Sequence, residues 1–171
     1  MKVWRRFVCA LSVAAVSAAL AVPALADGAQ WKRNDRGWWY EEANGAYPTD
    51  AWRLINGKWY YFDDQGWMKE NTWIQPDGNY YYLSASGAMV TGYQRVNGTP
   101  YFFRASGVWV ENRGQALGEY AETFVGKIPY VWGGADLNSG VDCSGFTMAI
   151  HAKFDISIPS CLLYTSPSPR D

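Results

Sequence analysis

The chain of 171 residues has room for one domain or two small ones, and its charge argues against a nucleic-acid-binding protein. It carries 15 Lys and Arg against 16 Asp and Glu, so the net charge of −1 provides no field to attract nucleic acid or an acidic membrane. The unusual feature is an aromatic content of 17%, and eight of the ten Trp lie between Trp31 and Trp109. No metal or cofactor is predicted.

The N-terminus is predicted to be a signal peptide over residues 1–26. A basic start precedes an apolar run at residues 7–22, and Ala24 and Ala26 form a small-residue cleavage motif before Asp27. A permanent membrane anchor is the alternative, but the apolar run is short for a bilayer crossing. We therefore expect a secreted protein that has no membrane attachment after cleavage.

The middle of the chain, residues 31–110, is predicted to be a repeat array. Glycines recur at intervals of 20 or 21 residues, at Gly37, Gly57, Gly78 and Gly98. The residues two positions after these glycines are, in order, Trp39, Trp59, Tyr80 and Pro100. Each unit is predicted to be a β-hairpin, because dipeptides that favour tight turns with positive φ separate its aromatic runs. These dipeptides are Asn56-Gly57, Asp77-Gly78 and Asn97-Gly98.

The aromatic residues of these hairpins have two interpretations. The second strands are aromatic on both faces, so the hairpins are predicted to stack as a β-hairpin solenoid whose core holds most of the rings. In the grooves between hairpins, however, Trp52 and Trp59 could meet Tyr80 or Met68 from a neighbouring turn and form an open cage. Such a cage would attract a quaternary ammonium group by cation–π attraction, or stack on a sugar.

The segment from Ala51 to Met68 resembles a choline-binding type cell-wall repeat, since its turn glycine and its aromatic residues agree together. The resemblance implies non-covalent attachment to choline-bearing teichoic acid or another wall polymer. The unit at residues 31–49 is irregular, and the fourth unit departs from the pattern at Tyr93, Pro100 and Trp109. Intact cages are therefore expected only around Trp52, Trp59, Trp73 and Tyr80.

Residues 111–114 are predicted to be a linker to a second domain at residues 115–160. Apolar residues at helical spacing predict a helix over residues 115–125, with Gly126 as its stop. A second helix is predicted to begin near Cys143, because Phe146, Ile150 and Phe154 recur at intervals of four. Backbone N–H groups at such a helix start can stabilise an oxyanion, so Cys143 is a candidate nucleophile. A buried structural cysteine is the alternative.

Two motifs of this region, Tyr130-Val-Trp-Gly-Gly and Asp142-Cys143-Ser144-Gly145-Phe146, resemble the start of an NlpC/P60 peptidase, a papain-like family of bacterial wall hydrolases. The resemblance implies a truncated α+β papain-like domain with Cys143 as nucleophile. It also implies that Tyr130, Asp142 and Ser144 line the substrate subsite. The implied substrate is a peptidoglycan stem peptide, commonly cut at a bond between γ-D-glutamyl and diamino acid residues.

The same mechanism needs a His base and a third polar group. His151 is the only histidine, and it lies eight residues after Cys143, or about 12 Å along a helix, so it is not assigned a catalytic role. Residues 161–171 resemble a translated sequencing adapter, so we expect a fragment of a longer hydrolase. The apolar face of Phe146, Ile150 and Phe154 would then lack a sheet to cover it.

We therefore expect a secreted, wall-associated protein derived from a Cys-dependent endopeptidase, which binds peptidoglycan or a wall polymer without hydrolysing it. A non-enzymatic wall adhesin or a carbohydrate-binding module is the alternative.

Overall fold

The computed structural model describes residues 28–158, and both the predicted signal peptide and the adapter-like tail lie outside these residues. Four antiparallel hairpins come first, formed by β1 (Gln30–Asn34), β2 (Gly37–Glu41), β3 (Ala51–Ile55), β4 (Lys58–Phe62), β5 (Thr72–Ile74), β6 (Tyr81–Leu83), β7 (Gly92–Val96) and β8 (Thr99–Phe103). They are followed by α1 (Arg113–Glu122), β9 (Ala135–Asp136), β10 (Gly140–Val141) and α2 (Cys143–Lys153). Neither helix in this described part is long and apolar enough to cross a membrane.

Short turns set the register of the hairpins. Asn56 and Gly57 have φ angles of 49° and 75° in the β3–β4 turn, and the Asn97-Gly98 pair repeats this geometry between β7 and β8. The β5–β6 connection differs from the prediction, because only the glycine of the Asp77-Gly78 pair has a positive φ. Pro76 precedes this pair and has no backbone N–H to donate to a strand partner, so β5 ends at Ile74 and the connection is longer. The predicted hairpins are otherwise confirmed.

The first hairpin is regular, contrary to the expectation from its sequence. Its turn is Asp35-Arg36, so Gly37 already lies in β2, one residue later than the turn glycines of the other units. Counting from Gly37 therefore aligns Trp39 with Trp59, whereas strand pairing aligns Trp38 with Trp59. A shift of one residue moves a side chain to the opposite face of a strand, so the correction changes which ring can bind a ligand.

Successive hairpins are joined by backbone hydrogen bonds. After each of the last three hairpins, the chain returns to the hairpin before it, where an amide donates to a carbonyl oxygen over 2.8 Å. The three bonds run from Met68 to Trp38, from Met89 to Trp59 and from Trp109 to Tyr80. The array is therefore continuous from the first hairpin to the fourth, and its aromatic residues pack between adjacent units.

The fourth hairpin packs against a helix where the others pack against a further hairpin. In each earlier hairpin a Trp lies with its ring centroid 4.9 to 5.1 Å from that of a Tyr in the next, in the pairs Trp31–Tyr60, Trp52–Tyr81 and Trp73–Tyr101. Tyr93 occupies the same position in the fourth hairpin, and its ring lies 5.3 Å from that of Tyr120 in α1. Helix α1 thus covers the end of the array, and its Tyr120 takes the place of a tyrosine from a further hairpin.

The apolar face of α2 is covered, which corrects a second expectation. Ile150 and Phe154 are buried in one cluster with Phe102 of the fourth hairpin and Leu117 of α1, and Phe146 packs at its edge. No sheet is needed for this cover, because α1 and the fourth hairpin provide it. Polar contacts span the same interface. The Tyr93 hydroxyl donates to the carbonyl oxygen of Lys153 over 2.7 Å.

Helix α1 begins and ends earlier than predicted. The Asn112 side chain accepts a hydrogen bond from the Gln115 amide over 2.9 Å, and this N-cap starts the helix at Arg113. Half of the predicted linker at residues 111–114 is therefore helical. The last helical residue is Glu122, and Gly126, with a φ of 72°, lies in the turns that follow.

A buried hydroxyl in the second hairpin makes the stability of the array sensitive to high pH. Tyr61 is only 8% exposed, and its hydroxyl donates to the carboxylate of Asp50. Burial, together with the negative charge of Asp50, raises the pKa of Tyr61 from 10.0 to about 12. The folded protein therefore stabilises the protonated hydroxyl.

The contribution of Tyr61 to stability should be complete below pH 10 and should be lost as the pH rises to about 12, since the folded-state pKa is the higher one. We expect the free energy of unfolding to fall more steeply over this range in the unaltered chain than in Tyr61→Phe. Denaturant titrations at several pH values would measure this difference. Asp50→Asn, which keeps an acceptor but removes the charge, should fall between the two. Equal slopes in all three proteins would contradict the assignment.

Candidate functional site

A cage of aromatic side chains lies between the first and second hairpins. Trp31, Trp38, Tyr60 and Met68 line a cavity of about 370 Å³. The ring of Trp31 is perpendicular to that of Trp38, with 6.3 Å between the centroids, and it lies 4.9 Å from the ring of Tyr60. We call this set of four residues the first cage.

The first cage has the electrostatic character of a site for an organic cation. Ring faces carry negative potential and attract cations that lie within about 6 Å of the ring centroid. The guanidinium of Arg33 already lies over the Trp38 ring, 5.4 Å from its centroid. Glu70 also lines the cavity and adds a carboxylate. Among residues 28–158, no group of three or more His, Cys, Asp and Glu side chains could hold a metal ion.

The repeat period generates two further sets of equivalent residues. Strand pairing and the tail hydrogen bonds define the second cage as Trp52, Trp59, Tyr81 and Met89. The same equivalence defines the third cage as Trp73, Tyr80, Tyr101 and Trp109. In the second cage Trp59 is 43% exposed, so a ligand can reach it from solvent.

The structure distributes the predicted cage residues among all three cages. Trp52 and Trp59 do not meet Tyr80 or Met68, because Tyr80 belongs to the third cage and Met68 to the first. Trp52 contacts Tyr81 instead, with 5.1 Å between the ring centroids. Adjacent strand residues point to opposite faces, so Tyr80 and Tyr81 face different neighbours.

Sequence reasoning named Met68 but missed the three aromatic residues of the first cage. The signal that could have found it is the spacing of seven residues between the two leading rings, which is shared by Trp31 and Trp38, Trp52 and Trp59, and Trp73 and Tyr80. Counting from the glycines hid this spacing, because Gly37 is displaced by one position. The expectation that the irregular first unit forms no cage is therefore wrong.

The second candidate site surrounds Cys143, which is exposed and is the first residue of α2. Asp142 is the N-cap of this helix, and one of its carboxylate oxygens accepts hydrogen bonds from the Gly145 amide (2.6 Å) and the Ser144 hydroxyl (2.8 Å). The other oxygen accepts from the Gly133 amide over 3.1 Å. Asp142 therefore joins the glycine turn to the helix that carries Cys143.

The hydrogen bonds of Asp142 determine its charge state. The bond from the Gly145 amide, followed by that from the Ser144 hydroxyl, lowers the pKa of the Asp142 carboxyl below its ordinary value. Since all of these donors bind the ionised form, the carboxylate is already engaged within the protein. It orients Ser144 and the backbone around Cys143.

Close backbone packing explains the glycine of the Asp-Cys-Ser-Gly motif. A Cβ atom at Gly145 would overlap the carbonyl oxygen of Gly134 and would lie 2.9 Å from the Cα of Ala135. The Asp142 amide donates to the same carbonyl oxygen of Gly134 over 2.9 Å. The start of α2 can therefore lie directly against the glycine turn only without a side chain at position 145.

The two remaining residues of the sequence analysis in this region are Tyr130 and His151. Tyr130 lies beside β10, where the amide of its neighbour Val131 donates to the carbonyl oxygen of Val141 over 3.0 Å, and Tyr130 itself is 66% exposed. The Nδ1 atom of His151 lies 2.8 Å from the carbonyl oxygen of Thr147, within α2. His151 is thus held on its own helix, two turns beyond Cys143.

Two family models match the chain and confirm both resemblances. Residues 49–92 match the choline-binding repeat, and residues 126–163 match the NlpC/P60 family. The first match includes the second and third hairpins, and the second match includes Cys143. No curated protein sequence matches the chain. These matches relate the chain to cell-wall-associated choline-binding proteins and to cell-wall hydrolases.

Solved structures with similarity to the chain include a phage endolysin and a protein of Streptococcus pneumoniae. A multimodular cell-wall endolysin from phage Cp-1, complexed with choline, is 37% identical over 48% of this chain and 25% of its own, with a TM-score of 0.47. Choline-binding protein F from Streptococcus pneumoniae is 38% identical over 47% of this chain and 27% of its own, with a TM-score of 0.43. The aligned part thus spans about a quarter of either protein.

The packing of Gly145 leads to a test with a matched control in the other helix. Gly145→Ala should lower the free energy of unfolding by about 1–3 kcal/mol, because the added methyl group overlaps the Gly134 carbonyl. Gly118→Ala in α1 should raise it by about 0.5–1 kcal/mol, since no atom lies within 4 Å of the added Cβ and alanine favours a helix. Denaturant unfolding followed by helical circular dichroism would compare them. A similar change in both variants would contradict the close packing.

Proposed function

We propose that the chain is an exported protein of the cell wall that binds choline groups of a wall polymer, such as teichoic acid, through its aromatic cages. The C-terminal segment then lies close to the peptidoglycan, whose stem peptides are the substrate class of the NlpC/P60 relatives. The observation that carries this proposal is the first cage, in which three aromatic rings and Met68 surround one cavity.

The chemistry of the first cage favours a quaternary ammonium group. Each well-placed ring face contributes about 0.5–2 kcal/mol of cation–π attraction, and a group without hydrogen-bond donors suits walls that offer few acceptors. The sulfur and methyl groups of Met68 add an apolar, polarisable surface for the ligand's methyl groups. The cavity, about 370 Å³, has the size of a site for a small molecule.

The C-terminal segment is proposed to be the first part of a papain-like NlpC/P60 domain, with Cys143 in the position of the nucleophile. Its exposure and its place at the start of α2 support this role, because free backbone N–H groups there can stabilise an oxyanion. Tyr130 and Ser144 would line the substrate subsite. Asp142 would act through Ser144 and the backbone, since its oxygens already accept three hydrogen bonds.

This chain is proposed to bind the wall without cleaving it. Acyl transfer to a cysteine requires a base within hydrogen-bond reach of the sulfur. His151 is the only histidine of the sequence, lies about 12 Å along α2 from Cys143, and contacts the carbonyl oxygen of Thr147. It is therefore too far away to take the proton of the thiol.

Binding can be tested on a resin that carries choline. We expect the chain to be retained and to be released by free choline, and Trp38→Ala to lower the affinity about 2- to 30-fold, as the loss of one ring face implies. Trp132→Ala is the matched control, because Trp132 is 88% exposed and lies outside the cages. Release by sugars but not by choline would overturn the proposal in favour of carbohydrate stacking.

The absence of hydrolysis has its own test. Purified chain incubated with peptidoglycan should release no stem-peptide fragments, and Cys143→Ala should behave in the same way because His151 is too far from the thiol to act as its base. Mass spectrometry of the soluble products would detect any fragments. Fragments that are released by the unaltered chain and disappear with Cys143→Ala would show that a base other than His151 completes the site.

A further inference from the structure

The third cage contains a tryptophan where the other two cages contain a methionine. The backbone at this position is the same in all three, since the amides of Met68, Met89 and Trp109 each donate to the preceding hairpin over 2.8 Å. The three side chains therefore leave the backbone from equivalent points. The three side chains differ in the part of the protein against which each of them packs.

Each of the two methionines packs against a glycine in the turn that follows the next hairpin. A Cβ atom at Gly87 would overlap the sulfur of Met68, and one at Gly107 would overlap the sulfur of Met89. Both glycines have positive φ, of 78° and 84°, a backbone conformation that favours glycine. No side chain therefore covers the backbone against which each methionine packs. Each methionine can therefore lie along the next unit and leave the centre of its cage open, as the cavity of the first cage shows.

No such glycine follows Trp109, because the chain enters α1 instead of a fifth hairpin. The next residue, Val110, is 4% exposed and is buried in the core around the helices. Since neighbouring residues in extended backbone point to opposite sides, Trp109 faces the third cage. Its indole centroid lies 5.4, 5.9 and 5.7 Å from the ring centroids of Trp73, Tyr80 and Tyr101.

These distances place the indole where a bound cation would lie. A cation held by three rings lies within about 6 Å of each centroid, and the Trp109 ring meets that condition for all three. The Trp109 ring contacts each of the other three edge to face, at separations that are typical of a packed aromatic cluster. The centre of the third cage is thus filled by the protein itself.

We infer that Trp109 closes the third cage to ligands, so that only the first and second cages bind a quaternary ammonium group. The inference rests on the proposed function, because it concerns which of the equivalent cages are open. Trp109 acts here as a residue that determines the number of ligand sites. The closed cage serves instead to join the third hairpin to the fourth, which carries the helices.

The number of choline molecules bound per chain tests this inference. Isothermal titration calorimetry of the full chain with choline should give two sites. Trp109→Met and Trp109→Ala should each give one site more, because removal of the indole empties the centre of the third cage. Met68→Trp is the reciprocal variant and should give one site fewer. Circular dichroism would show that each variant keeps the fold of the unaltered chain.

The outcomes separate this inference from the proposed function. Three sites in the unaltered chain, with one lost in Trp109→Ala, would show that Trp109 is one wall of an open cage. That result would overturn this inference and leave the proposed function standing. An unaltered chain that binds no choline would overturn the proposed function, and the inference with it. A crystal structure of the unaltered chain soaked with choline requires no substitution. Ligand density at Trp38 and Trp59 but not at Tyr80 would support the inference, and density at Tyr80 would overturn it.

Discussion

The backbone hydrogen bond from the tail of each unit to the preceding hairpin is the contact on which the rest of the array depends. A lone hairpin with aromatic residues on both faces is marginal in water, since one face has nothing to cover it. The bonds from Met68 to Trp38 and from Met89 to Trp59 hold adjacent units at one fixed offset. That offset brings rings of two hairpins around one space, so the ligand cages result from the same geometry that stabilises the fold.

The sequence was sufficient to predict the hairpins and the two family resemblances, because both depend on local spacing. It was not sufficient to predict which residues line each cage, because that depends on strand register. Gly37 illustrates the difference: it lies one residue after the turn, so counting from it assigned Trp39 to a position that Trp38 occupies. The cover of Ile150 and Phe154 was also unpredictable from local pattern, because it comes from the fourth hairpin, about 50 residues earlier in the chain.

The irregular residues of the fourth unit have a structural explanation in the helices that follow it. Tyr93 stands where the other hairpins have Trp, and its hydroxyl donates a hydrogen bond to the carbonyl oxygen of Lys153 in α2. Its ring meets Tyr120 and Phe154 in place of a fifth hairpin. The departures from the repeat pattern thus mark the point where the array ends and the helical segment begins.

The contact between Tyr93 and α2 also bears on how the chain can be divided. The predicted boundary at residues 111–114 lies between the two parts of the sequence that match the two families. Phe102 and Ile150 nevertheless share one buried cluster across it. A protein cut at that boundary would expose apolar surface on both pieces, and the helices would lose the surface on which they pack. The helical segment therefore depends on the fourth hairpin for its packing, so the boundary between the two family matches is not a boundary between folding units.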